Sequence, residues 1–241
     1  MKGLRATWMV GAMLPGLMLS TGCASLPGMS AFRVEDDSGL GQVDQLMREV
    51  EGLHLAAERA GDAAHLCASE MAAMVGGGGP SNPIEAYQVL VEHLEASERQ
   101  SAEMRSRLAP LRGAAEAVHG QWSADLETIG IASLRERSRE RLTESRERIA
   151  AIDLSAESAL VALDVYNDGL RDLATFLGHD YNPSSLAGAG QEIQLLSGFL
   201  AELDRRIANC LQACEAHVMA SGMPERSAAM MVEEPAPDET L

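Results

Sequence analysis

The stretch Val43–Met74, VDQLMREVEGLHLAAERAGDAAHLCASEMAAM, sets apolar or small residues at Val43, Leu46, Val50, Leu53, Ala57, Ala60, Ala64, Cys67, Met71 and Met74. The gaps alternate between three and four without a break, which gathers the side chains on one side of an α-helix. A strand would need a period of two. So narrow and regular a stripe is a heptad seam, in which each residue packs against a neighbouring helix. One such seam implies others to bury it.

They follow downstream. GGGGPSNP, Gly76–Pro83, ends the first helix, because a glycine run followed by prolines cannot continue it. The second predicted helix runs over 84–129, with a bend expected at Pro110, which lacks a backbone donor. Its seam is irregular near Ser97 and resumes with Met104, Leu108, Leu111, Ala115, Val118 and Trp122. The third, over 132–179, carries Leu142, Ser145, Ile149, Ile152, Ala156, Ala159, Leu163, Tyr166, Leu170, Leu173 and Leu177, and HDYNPSS closes it. The fourth, over 185–221, carries Ile193, Leu196, Leu200, Leu203, Ile207, Cys210, Cys214 and His217.

Four stripes joined by short connections predict an all-α fold, an elongated antiparallel four-helix bundle or set of coiled-coil hairpins. At ~1.5 Å per residue the second and third helices reach roughly 70 Å, so the tip that joins them should protrude. Composition agrees: aromatic residues are only 3% of the chain, which suits helices packed through small side chains. No phosphate-binding glycine loop, strand alternation or disulfide framework is apparent.

Upstream, the stretch MLPGLMLSTGCASLPG, Met13–Gly28, belongs to a short apolar run interrupted by Pro15. It falls short of the ~20 residues needed to cross a bilayer. Lys2 and Arg5 precede it and small residues follow, the three regions of a secretory signal. Leu19–Cys23 is similar to the lipobox of bacterial lipoproteins, which implies lipidation of Cys23 after removal of the signal. The expected organisation is a signal peptide at 1–22, a lipidated Cys23 with a flexible tether to 41, a helical domain at 42–221 and a disordered acidic tail at 222–241. The net charge of −17 becomes −19 once Lys2 and Arg5 leave with the signal. So acidic a chain argues against a nucleic-acid partner, which would need a basic surface.

The segment WSADLETIGIASLRERSRERLTESRERIAAI, Trp122–Ile152, with AEL at Ala201–Leu203, resembles an uncharacterised bacterial family of helical, often signal-bearing proteins, domain of unknown function 2959. Trp122, Leu126, Ile129, Leu134, Arg135, Ser138, Leu142 and Ser145 carry the likeness, which extends over about 45–222. The GHDYNPSS segment and the cysteine pair of the fourth helix depart from it. The resemblance implies long helices and assigns no activity.

Several constellations could carry chemistry. Cys210, Cys214 and His217 share one helical face and could ligate a soft metal, yet they are seam positions where cysteine acts as a small hydrophobe. Cys67 is expected too far along the bundle to bridge Cys210, which leaves buried free thiols. Glu51/His54 and Glu116/His119 have the spacing of di-iron bundles, but each pair falls one residue past its seam and reads as surface charge. Leu134–Ile149 holds six arginines against four glutamates, the pattern of a solvated, ion-paired helix. With Arg99, Arg105, Arg107 and Arg112 on the second helix, it could alternatively form a docking face for lipid headgroups or an acidic partner.

The expected function is a lipid-anchored cell-envelope scaffold or protein-interaction module without catalytic residues, metal or cofactor. It would be held at the outer membrane facing the periplasm through Cys23, with a protein partner or self-association and no small-molecule substrate. The alternative is a soft-metal or thiol-handling bundle using Cys210, Cys214 and His217.

Overall fold

The computed structural model describes residues 39–76, 82–179 and 188–222. They form four helices: α1 (Gly39–Gly76), α2 (Pro83–Thr128), α3 (Ala132–His179) and α4 (Gly190–Ala220). The described residues contain no strand. Each helix packs on its neighbour in sequence, and α4 closes the ring against α1.

Cross-helix pairs establish the antiparallel order. Between α2 and α3, Glu98 meets Arg171, Arg105 meets Asp164, and Arg112 meets Asp153 and Glu157. Numbers rise on one helix as they fall on the other. The same inversion holds between α1 and α4, where His54 faces Glu215 and His65 faces Asp204. Across the diagonal, the buried Tyr166 hydroxyl of α3 donates to the Ala64 carbonyl of α1 at 3.1 Å.

Every residue of the Val43–Met74 seam is buried except Val43, which is half-buried. Ala57, Ala60 and Ala64 keep that stretch of α1 thin, where the Tyr166 hydroxyl reaches the Ala64 carbonyl and Ile207 lies beside Gly61. Burying a Leu or Met contributes ~1.5–3 kcal/mol each. That gain offsets the weak intrinsic stability of isolated helices.

The α2 seam proves unbroken. Ala86, Leu90, Leu94, Ser97, Ser101, Met104, Leu108 and Leu111 are all buried at spacings of three or four, so the irregularity near Ser97 is one of polarity and not of geometry. Ser97 donates to Asn167 Oδ1 of α3 at 2.7 Å, which satisfies a hydroxyl with no exposure to solvent. At the start of α2 the Asn82 side chain accepts from the Ile84 amide and Pro83 occupies the first turn, an ordinary N-cap arrangement. The helix runs through Pro110, which lies on the exposed face.

One predicted boundary moves. The tether is expected to reach residue 41, but Gly39, Leu40 and Gly41 are already helical, because glycine weakens a helix without ending it. The fourth helix is described from Gly190 onward, and its expected start near 185 lies outside the described residues. The tip does protrude. Val43 and Ser221 lie level with Trp122 and Arg141, and beyond that level α2 and α3 continue as a pair. From Glu127 to Arg141 no residue is buried.

Candidate functional site

Cys23, the expected lipid attachment point, and the acidic tail lie outside the described residues. No described helix is long and apolar enough to cross a membrane.

Cys210, Cys214 and His217 do share the inner face of α4, each buried. What surrounds them is packing. The two thiols hydrogen-bond to each other, a bond that lowers Cys210 and, reinforced by burial, raises Cys214 above the ordinary thiol range. Among the described residues no group of three or more His, Cys, Asp or Glu side chains is arranged to hold a metal ion. Cys67 is likewise a buried thiol, pushed up by burial to about 12, and none of the three cysteines is bridged. Because His65 sits level with Asp204 and Gly61 with Ile207, Cys67 and Cys210 occupy different levels of the bundle.

The two Glu-x-x-His pairs correct the surface reading. Both histidines turn inward, His54 at 3% exposed and His119 at 9%, while Glu51 and Glu116 stay outside the core. One residue past a seam is close enough for an imidazole to fold under the neighbouring helix. His119 Nε2 lies 3.0 Å from the Ser145 hydroxyl of α3, and burial followed by the positive charge of Arg146 holds its pKa below the usual histidine range. His217 is held lower still, at about 4, by burial, Arg148 and His119 in that order. This end of the bundle therefore carries neutral imidazoles among guanidinium groups.

The arginines expected on a docking face are mostly engaged within the bundle. Arg112 binds Asp153 at 2.7 Å and Glu157 at 2.5 Å. Arg105 binds Asp164 at 2.8 Å, and Arg107 pairs with Glu103 on its own helix. Along the tip, Arg139 pairs with Glu136, Arg146 donates to Ser123 at 2.8 Å, and Trp122 Nε1 donates to Ser138 at 2.8 Å. Arg141 has no ion pair or hydrogen bond among the described residues.

A feature absent from the sequence expectations is a second stripe on α3. Leu154, Val161, Val165 and Phe176 are between 44% and 70% exposed. With Ser158, Gly169 and Asp172 between them they follow a three-four spacing on the outer face. Leu195 and Phe199 of α4 stand opposite, and two adjoining clefts of about 290 and 490 Å³ share Phe199 as a wall. Gly169 allows this close approach, since a Cβ there would lie 2.6 Å from Leu196. Testing α3 for two simultaneous seams would have exposed the pattern.

A family model described as "Protein of unknown function (DUF2959)" matches residues 33–221 of the chain. No curated protein and no solved structure matches it.

Proposed function

The chain belongs to the family of proteins of unknown function DUF2959, and from that premise we propose that it is a lipid-anchored scaffold of the cell envelope that engages a protein partner along its α3–α4 face. The observation that carries this reading is the exposed second stripe of α3 with Leu195 and Phe199 beside it. Folded monomers rarely leave contiguous apolar surface in water unless it meets something. A helix laid into the groove would find hydrophobic positions at heptad spacing, the pattern by which amphipathic helices are recognised. The lipobox-like Leu19–Cys23 supports the anchor, and acylation of Cys23 by two or more chains would make attachment long-lived.

Two measurements in intact cells test the reading. Cys23→Ala should release the protein from the membrane fraction and abolish incorporation of labelled palmitate. A photo-crosslinking residue at Val161 should capture a discrete partner that is lost on Val165→Asp, whereas one at Arg137 on the tip should not. Unchanged membrane retention without Cys23 would overturn the anchor. Identical crosslinking from Val161 and Arg137 would overturn the docking face.

A further inference from the structure

Near the end of the bundle where α1 begins and α4 finishes, all four helices contribute to one cleft of about 240 Å³. Val43 comes from α1, Val118 and Trp122 from α2, Arg141 and Arg148 from α3, and His217 from α4. In a chain of net charge −17 the cleft lining includes two guanidinium groups and, among the described residues, no carboxylate. One side is apolar and aromatic, the other a row of hydrogen-bond donors.

The donors are under-used. The Nε of Arg148 and the Nδ1 of His217 are buried without a hydrogen-bond partner, and the His217 side chain is only 3% exposed. Arg148 is engaged only at its outer nitrogen, 3.8 Å from Glu144. Arg141 has no partner among the described residues. Leaving such groups unsatisfied is costly, so two orphaned nitrogens in one cleft call for a partner. An anion with two or more oxygens could serve several donors at once, and guanidinium groups match carboxylate and phosphate geometry.

We propose that this cleft binds a small amphiphilic anion, a carboxylate or phosphate on a short apolar stem, with Arg141, Arg148 and His217 at the charge and Trp122, Val43 and Val118 along the stem. The volume lies below the ~300 Å³ at which sites for drug-sized ligands begin, which limits the stem to a few carbons. Ser145 already faces His119 at 3.0 Å and can rotate its hydroxyl toward the ligand. The ligand is held, not transformed. The inference stands apart from the anchor and from the α3–α4 face.

The chain contains two tryptophans, Trp8 and Trp122, so Trp8→Phe in the full chain leaves Trp122 as the sole reporter. Hexanoate and hexyl phosphate should change its fluorescence saturably, while hexylammonium should not. Arg148→Gln should weaken binding about tenfold or more, the loss expected for a charge-assisted bond. Arg141→Gln, at an exposed position that leaves the core intact, should weaken it severalfold. Competition by phosphatidylglycerol vesicles but not phosphatidylcholine vesicles would make a lipid headgroup the source of the anion; hexyl phosphate binding unaffected by either would make it a free one. An equal response to hexylammonium, or affinity unchanged in both variants, would overturn the proposal. Inorganic phosphate binding as tightly as hexyl phosphate would overturn its amphiphilic half.

Discussion

Asn167 and Ser97 form a hydrogen bond between two side chains buried deep in the α2–α3 seam. A buried polar pair adds little net stability, but losing one member strands the other. Asn167→Ala should therefore lower unfolding free energy by ~2–4 kcal/mol, from the orphaned hydroxyl and the cavity together. The double variant Ser97→Ala/Asn167→Leu should recover most of that loss in urea titrations. His217 offers a second test at the same scale. Its pKa of about 4 in the folded chain lies below the ordinary 6.5, so between those values the unfolded chain binds the extra proton. Stability is then complete above about pH 6.5 and falls as pH drops toward 4, by an amount on the order of 3 kcal/mol. His119, also depressed by burial and by Arg146, adds in the same direction. The charged and titratable groups around His217 from the other helices are Arg141, Arg148 and His119, all positive or neutral, so none of them offsets the loss. His217→Leu should flatten the urea midpoint between pH 7.5 and pH 4.5; an unchanged slope would show that the imidazole is solvated.

Among the elements, α2 carries the most unusual feature, a proline inside 46 residues of helix. Interior proline costs ~3 kcal/mol relative to alanine, offset by ~0.4–1 kcal/mol from its restriction of the unfolded chain. Pro110→Ala should thus raise stability by about 2 kcal/mol, read as a higher thermal midpoint. The helix tolerates proline there because position 110 faces solvent, where water can satisfy the carbonyl freed one turn earlier. The ion pairs that bind α2 to α3, from Arg171–Glu98 to Arg112–Asp153, are 44% to 53% exposed on the arginine side. Pairs of that kind contribute little each, and they serve chiefly to favour one antiparallel register over its neighbours.

At the scale of the molecule, the three-four spacing of Val43–Met74 and its counterparts was legible before any coordinates. It specified helix type, number and approximate ends, because a period of hydrophobicity dictates which backbone can bury it. The stretches rich in glycine and proline marked the helix ends for an equally local reason. The Cys210–Cys214–His217 face could be located on α4 from spacing alone, but its surroundings could not. Which histidines turn inward, which arginines are consumed by carboxylates on another helix, and which lie against a cleft depend on the registers between helices. Those registers arise from contacts between residues far apart in the chain, such as Tyr166 with Ala64 or Ser97 with Asn167. The sequence by itself determined a four-helix seam pattern, since hydrophobic periodicity is a property of each helix alone. Only the tertiary structure decided that α3 keeps a second apolar stripe in solvent and that donors from α3 and α4 converge on one cleft, because convergence is a property of how helices are set against one another.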